Sequence, residues 1–251
     1  MPPEAAEAFA VIAPFYDLDL EGYDDDVAMY RELARMRGAD VLELGCGTGR
    51  VAGALAQDGL EVVGVDVSEA MLAIARERAP EVSFMRADMR SLDLGRRFAC
   101  VLVPLGGLQH METAADVADA LGSVARHLAP DGVAVVDVET PLPDDFAPGP
   151  QPLVEHWTRH WQGASVTKLV AVEAAPSLGL RYVTWHFDVQ APEGPLRRHS
   201  AQFALRTITA GELELAARLA GLTVGAWYGD YDLSPLGDDA SRTVALLEHA
   251  R

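Results

Sequence analysis

The fold is decided by residues 41–50, VLELGCGTGR, in which an apolar run leads directly into three glycines at alternate positions. A strand that ends in such a turn brings backbone close to a ligand, because glycine has no Cβ and tolerates positive φ. A dinucleotide site would carry its third glycine one residue later, at position 50, where this chain has arginine. The spacing therefore favours a nucleoside cofactor of another kind over a nicotinamide or flavin dinucleotide.

Between residues 40 and 140, short apolar strands alternate with helical segments. This alternation is typical of βαβ units, and strands that are apolar on both faces predict a buried parallel sheet. The strands are expected at residues 41–44, 61–66, 82–85, 98–103 and 133–138. The predicted fold class is therefore α/β, with helices on both faces of the sheet.

A change of pattern after residue 140 predicts an inserted subdomain. Residues 141–152 are rich in proline and acid and suit neither a helix nor a strand. Four longer strand-like runs with short joints follow, which predicts antiparallel hairpins at residues 153–161, 165–174, 180–190 and 197–208. A helix at 209–220 and strands at 222–227 and 243–247 then complete the main sheet. The expected organisation is a helical lid at 1–36, a core at 37–140 and 206–251, and an inserted antiparallel sheet at 141–205.

Charge and cysteine content argue against several classes of partner. The chain of 251 residues has 20 Lys and Arg against 38 Asp and Glu, which gives a formal net charge of −18. Such a charge repels polyanions, so we expect neither nucleic acid nor a membrane as a partner. Cys46 and Cys100 form neither a disulfide framework nor a metal-binding spacing, and we assign no metal. The first residues lack the features of a secretory signal, which predicts a cytoplasmic protein.

Two acidic residues stand where the strands of an α/β fold meet their ligands. Asp66 ends the second predicted strand, where a carboxylate can accept both hydrogen bonds of a ribose diol. Asp88 follows the third strand and is placed to accept from an adenine amine, with a backbone hydrogen bond from Met89. Taken alone, Asp66 could equally be the acid of a helix N-terminus, and Asp88 a turn residue.

Taken in order, the glycine turn and these two acids resemble the class I S-adenosylmethionine-dependent methyltransferases. That family carries Glu/Asp-x-Gly-x-Gly-x-Gly, an acid at the end of strand two and an acid after strand three. The resemblance implies a Rossmann-like sheet of seven mostly parallel strands and S-adenosyl-L-methionine as the cofactor. The cofactor-binding residues that it implies are Tyr16, Glu43, Gly45, Cys46, Gly47, Gly49, Asp66, Val67, Met71, Asp88, Met89 and Leu105. The inserted sheet and residues 185–189, WHFDV, are similar to the small-molecule branch that includes amino-sugar N,N-dimethyltransferases.

The expected reaction is methyl transfer to the N or O atom of a small-molecule acceptor by direct displacement. Displacement at a sulfonium asks the protein mainly to align the acceptor and to exclude water. His110 follows the fourth strand and is the candidate for a catalytic base or a positioning group, with a backbone-bonded histidine as the equal alternative. Tyr16 is a second catalytic candidate, because an aromatic face suits a neighbouring sulfonium cation. Packing alone would also account for it.

Trp185 in the inserted sheet and Tyr231 in the C-terminal loop are, with His110, the candidates for acceptor binding. Aromatic residues of the inserted sheet also suit packing or the interface of a homodimer. A protein that binds S-adenosylmethionine without transferring its methyl group is the alternative function, because a fold does not fix a reaction.

Overall fold

The computed structural model describes residues 3–38 and 40–250, which form two β-sheets with six helices in these ranges. The first part of the chain contains α1 Pro3–Asp19, α2 Asp25–Arg37, β1 Asp40–Leu44, α3 Arg50–Gln57, β2 Glu61–Asp66, α4 Glu69–Arg78, β3 Ser83–Arg86, β4 Phe98–Val103, α5 Ala114–His127 and β5 Leu128–Glu139. The second part contains β6 Gly149–Pro150, β7 Val154–Trp161, β8 Ala164–Ala175, β9 Leu180–Gln190, β10 Arg197–Arg206, α6 Ala210–Leu219, β11 Leu222–Tyr228 and β12 Arg242–His249.

The main sheet has seven strands in the order β11-β12-β5-β4-β1-β2-β3. Strands β1 to β5 pair in parallel, and β12 is antiparallel to both β5 and β11. In β1, Val41, Leu42 and Leu44 are completely buried, as expected of a strand that is covered on both faces. The predicted α/β class with a mostly parallel seven-stranded sheet is confirmed.

Helices cover both faces of this sheet. Leu121 of α5 and Leu213 of α6 belong to the apolar core on one face. Tyr30 of α2 and Leu55 of α3 belong to the core on the other face. Because β1 to β5 are parallel, their carboxyl ends lie at the same edge of the sheet. This edge lies between the two helix layers, and α/β folds bind their ligands there.

Strand β5 is longer than the sequence pattern predicted. It begins at Leu128, and residues 129–132 bulge between the partners of Phe98 and Cys100 in β4. A Cβ on Gly132 would lie 2.9 Å from the carbonyl oxygen of Ala99, so glycine permits this close approach. The proline-rich connector also contributes the two-residue strand β6, which pairs with the edge of β8.

The second sheet is antiparallel, with strands in the order β10-β9-β8 and with both β6 and β7 paired to β8. Helix α1 packs on its inner face. Ile12 and Phe15 of α1 are buried with Phe187 of β9, and the rings of Phe15 and Phe187 stack with centroids 4.7 Å apart. Met71 of α4 belongs to the same cluster, so α1 joins the second sheet to the main fold.

Within residues 3–38 and 40–250, no helix combines the length and the apolar character needed to cross a membrane.

Candidate active site

An inner cavity lies at the carboxyl ends of β1, β2, β3 and β4. Most of the residues predicted to bind a cofactor line it, namely Tyr16, Gly45, Gly47, Asp66, Val67, Met71, Asp88, Met89 and Leu105. Glu43, Cys46 and Gly49 lie outside this lining. The topology therefore brings together side chains from four strand ends and from α1.

The glycine turn after β1 is open toward the cavity at Gly45 and Gly47. Both residues have positive φ, 73° and 52°, and the N–H of Gly45 donates to the carbonyl oxygen of Val65. A Cβ on Gly45 would lie 3.3 Å from the methyl carbon of Met89 and would narrow the cavity. Gly49 serves packing instead, because a Cβ there would lie 2.9 Å from the Phe84 ring.

Asp66 joins the end of β2 to the glycine turn. Its carboxylate accepts the N–H of Gly47 at 2.9 Å and the N–H of Ser68 at 2.8 Å. Burial raises the pKa of the Asp66 carboxyl, and these backbone hydrogen bonds oppose the rise. Each carboxylate oxygen keeps a lone pair for a further donor, as binding of a ribose diol requires.

Asp88 lies at the opposite wall of the inner cavity and is held in an ionised state. Burial alone would raise its pKa, but hydrogen bonds from the side chain and backbone of Arg90 lower it to about 2. Arg90 also binds Asp116 of α5 at 2.8 Å, which fixes the guanidinium. The open glycine turn and the two carboxylates fit the nucleoside and amino-acid portions of S-adenosyl-L-methionine.

A second, outer cavity lies between α1, the antiparallel sheet and the end of β5. It shares Phe9, Tyr16, Leu105 and His110 with the inner cavity, so the two cavities meet at these four residues. Its walls are apolar and aromatic, with Val170, Val183, Trp185, Phe203 and Leu205. Charged side chains also line it, namely Asp19, Glu139, Lys168, Arg181 and Arg242.

His110 stands at the junction of the cavities, packed between two phenylalanines. Its ring centroid lies 5.0 Å from that of Phe9 and 5.5 Å from that of Phe203. Burial lowers the pKa of His110 to about 4, and Glu139 opposes this decrease. The imidazole is therefore neutral near pH 7, and it can accept a hydrogen bond at one nitrogen and donate at the other.

Tyr16 covers the glycine turn from α1. Its ring is the nearest group to Gly47, 3.9 Å from where a Cβ would stand. Burial raises the pKa of the Tyr16 phenol, with Arg50 as the main opposing influence, so the hydroxyl stays protonated. Tyr16 can therefore donate a hydrogen bond or present its ring, but it does not serve as an anionic base.

Asp137 of β5 is a completely buried carboxylate that contacts Leu105, one of the residues shared by the two cavities. It accepts the N–H of Leu105 at 2.7 Å, a guanidinium N–H of Arg242 at 2.5 Å, and the hydroxyls of Tyr30 and Tyr231. Leu105 has a positive φ of 51°, and this hydrogen bond holds it in place.

Trp185 lines the outer cavity, as the sequence led us to expect, but Tyr231 lines neither cavity. The side chain of Tyr231 is buried, and its hydroxyl donates to Asp137 at 2.8 Å. The prediction that Tyr231 binds the acceptor is therefore corrected, because its hydroxyl is directed at a buried carboxylate.

Sequence reasoning missed two charged residues because both stand in strands. Lys168 lies in β8 on the inward face that also carries buried Val166 and Val170, and Asp137 lies in the apolar run of β5. A charge at an inward position of an alternating strand is the signal that could have marked them.

Comparison with known proteins agrees with this geometry. A family model described as a methyltransferase domain matches residues 41–132. The chain is 33% identical over 220 residues to a dTDP-3-amino-3,6-dideoxy-alpha-D-glucopyranose N,N-dimethyltransferase of Streptomyces fradiae, covering 85% of this chain and 84% of the relative. It is 29% identical over 225 residues to a dTDP-3-amino-3,4,6-trideoxy-alpha-D-glucopyranose N,N-dimethyltransferase of Streptomyces venezuelae, covering 84% and 90%.

Solved structures give the same result. The crystal structure of DesVI from Streptomyces venezuelae matches with a TM-score of 0.79 and 27% identity, over 95% of this chain and 98% of that one. CalS10, an amino pentose methyltransferase from Micromonospora echinaspora solved with S-adenosylmethionine bound, matches with a TM-score of 0.74 and 25% identity, over 94% and 96%. This chain belongs to the class I S-adenosylmethionine-dependent methyltransferases, and it is an enzyme that transfers a methyl group from S-adenosyl-L-methionine to a small-molecule acceptor.

Proposed function

We propose that this methyltransferase acts on the amino group of an amino sugar and methylates the same nitrogen twice. The observation that supports this proposal is the junction of the two cavities at Tyr16, Leu105 and His110. This junction connects the outer cavity, where an acceptor can bind, to the inner cavity, where a methyl donor can bind. The names of the two N,N-dimethyltransferase relatives, each covering more than four fifths of this chain, supply the acceptor class.

We assign the inner cavity to the cofactor. Gly45 and Gly47 take its methionine portion, Asp66 the ribose, and Asp88 with Met89 the adenine. S-adenosyl-L-methionine supplies an electrophilic methyl group when it is bound there. The partly buried Tyr16 ring and the apolar walls around it limit the access of water, so the protein contributes mainly alignment.

We assign His110 to the positioning of the acceptor amine. Its neutral imidazole accepts a hydrogen bond from an amine N–H, which orients the nitrogen lone pair toward the junction. With a pKa of about 4, this imidazole is too weak a base to take a proton completely from an alkylammonium ion. The acceptor therefore binds as the free amine, and the proton released after transfer passes to solvent.

The division into a lid at 1–36, a core at 37–140 and 206–251, and an acceptor cover at 141–205 is part of the same proposal. The cytoplasmic location and the homodimer stay predictions. Four apolar side chains between residues 142 and 154 favour an interface, since each is at least half exposed: Leu142, Phe146, Leu153 and Val154. Light scattering on the purified protein would report its mass in solution.

The first test supplies S-adenosyl-L-methionine and dTDP-3-amino-3,6-dideoxy-α-D-glucopyranose, and follows the products by mass spectrometry. The expected result is a monomethylated sugar that is converted to a dimethylated one. Calorimetric titration with the cofactor, for the wild type and for Asp66→Ala, is the parallel control. Cofactor binding that D66A abolishes, together with no methylated sugar, would reject the acceptor class while retaining the cofactor site.

A further inference from the structure

A buried lysine in the wall of the outer cavity has no role in the reaction described so far. The side chain of Lys168 in β8 is only 5% exposed, and its ammonium forms an ion pair with Asp19 at the end of α1. The ammonium nitrogen also stands 3.7 Å from the ring centroid of Trp185. A carboxylate and an indole face together explain how this charge tolerates burial.

Lys168 retains hydrogen-bonding capacity toward the cavity. An ammonium has three N–H donors. Among the described residues, the ammonium donates one N–H to Asp19. It also lies over the face of the Trp185 ring, which accounts for a second N–H. The third N–H remains for the cavity that Lys168 lines. Burial lowers the pKa of Lys168 and the Asp19 carboxylate opposes this effect, so the donor keeps a charged partner beside it.

A chain of contacts connects Lys168 to the residues at the junction of the two cavities. Asp19 follows Tyr16 by three residues of α1, a rise of about 4.5 Å along a helix. On the opposite wall, Trp185 packs against Phe203 at 5.0 Å, and Phe203 packs against His110 at 5.5 Å. A sugar ring whose nitrogen lies at the junction therefore extends past these aromatic rings toward Lys168.

We propose that Lys168 is a specificity-determining residue, which donates a hydrogen bond to the 4-hydroxyl of the acceptor, next to the methylated 3-amino nitrogen. This inference rests on the proposed amino-sugar acceptor. A hydroxyl that accepts from a buried charged donor contributes strongly to discrimination, because the deoxy analogue leaves the ammonium without that partner.

Lys168 also helps to hold α1 on the second sheet, and this structural role needs its own control. Arg159 of β7 has the same role, since its guanidinium donates to the carbonyl oxygen of Leu18 in α1. Arg159 does not line the outer cavity. Arg159→Met therefore loosens the end of α1 without removing a donor from the acceptor site, and it is the matched control for Lys168→Met.

Two nucleotide sugars that differ by one hydroxyl provide the test. They are dTDP-3-amino-3,6-dideoxy-α-D-glucopyranose and its 3,4,6-trideoxy counterpart, which lacks the 4-hydroxyl beside the amine. We would measure kcat/KM on both sugars for the wild type, K168M and R159M. The wild type is expected to favour the hydroxylated sugar by roughly 10- to 100-fold, the effect of one hydrogen bond to a charged group.

K168M is expected to lose this preference by losing activity on the hydroxylated sugar, while R159M keeps it. An equal loss on both sugars in K168M, or an unchanged preference, would overturn the assignment. No transfer to either sugar by the wild-type enzyme would instead reject the proposed acceptor class and the assignment with it. Calorimetric affinity for S-adenosyl-L-methionine, unchanged in both variants, verifies that the fold is intact.

Discussion

Tyr16 and His110 line both cavities, and both are uncharged near neutral pH. Burial raises the pKa of Tyr16 and lowers that of His110 to about 4. The strongly ionised group is Asp88, at the wall of the inner cavity, where Arg90 lowers its pKa to about 2. Fixed charge is therefore kept at the wall of the inner cavity, and the two side chains that line both cavities are neutral.

His110→Asn is expected to lower kcat/KM about tenfold, the effect of one misplaced hydrogen bond. Well above pH 4, the pH dependence of kcat/KM should be the same in the two proteins. Because the pKa of His110 is about 4 rather than 6.5, its protonation removes activity only well below pH 6.5. The measurement is kcat/KM against pH with the amino-sugar acceptor. A loss of activity centred near pH 6.5 that H110N abolishes would contradict the positioning role and indicate a general base.

Helix α1 connects the glycine turn to the second sheet through its last turn. The carboxylate of Asp17 accepts the hydroxyl of Thr48, in the glycine turn, at 2.7 Å. Two residues later, the carboxylate of Asp19 accepts the indole N–H of Trp157, in β7, at 2.7 Å. Because Tyr16 precedes both contacts, one short segment sets the shape of the wall that the two cavities share.

Gly49, in the turn from β1 into α3, is required both for its positive φ and for close packing. Gly59, which follows α3, also has a positive φ but no close neighbour, so comparing the two glycines separates the two effects. Gly49 and Gly59 have positive φ of 72° and 85°. A Cβ on Gly49 would meet Phe84 at 2.9 Å and Ala75 at 3.0 Å, whereas one on Gly59 would meet nothing within 4 Å. Gly49→Ala should cost about 3 kcal/mol of unfolding free energy and Gly59→Ala about 1 kcal/mol.

Urea denaturation of both variants measures this difference directly. Equal destabilisation of G49A and G59A would mean that the left-handed backbone alone requires the glycine, and that Phe84 and Ala75 move aside.

At the scale of the whole molecule, the net negative charge of the protein differs from the charge balance inside the outer cavity. The formal net charge is −18, but the outer cavity carries Lys168, Arg181 and Arg242 against Asp19 and Glu139. The acidic surface opposes polyanionic macromolecules. Inside the outer cavity, each cationic side chain is paired with a carboxylate: Lys168 with Asp19, Arg181 with Glu139 and Asp145, and Arg242 with Asp137.

The stability of the whole fold should decrease with rising pH because of Glu43. This side chain is 2% exposed, and its Oε2 has no hydrogen-bond partner among the described residues. Burial raises its pKa from 4.5 to about 8, against the influence of Arg50. The folded state thus holds the proton more tightly than the unfolded state, so stability is lost as pH rises from about 4.5 to about 8.

Glu43→Gln should remove this dependence. Each pKa unit corresponds to about 1.4 kcal/mol, so the difference between wild type and variant should reach a few kcal/mol above pH 8 and vanish toward pH 4.5. Thermal melting of both proteins without cofactor across this range is the measurement. A constant difference in melting temperature would show that Glu43 is ionised throughout.

The sequence by itself determined the fold and most of the inner cavity. The glycine turn at residues 45–49, Asp66 and Asp88 each lie at the end of a parallel strand, and parallel strands of a βαβ sheet end at the same edge. Their order along the chain therefore predicts their proximity. The sequence does not distinguish the roles of the three glycines. In the tertiary structure, Gly45 and Gly47 line the inner cavity, whereas Gly49 packs against Phe84.

Only the tertiary structure decided the outer cavity. Lys168 and Asp19 are 149 residues apart, and they meet because α1 packs on the antiparallel sheet. Tyr231 and Asp137 are 94 residues apart, and their hydrogen bond directs the tyrosine away from both cavities. Such contacts form only when the apolar face of one element packs against that of another. The local spacing of residues predicts that an element has an apolar face, but not which element will pack against it.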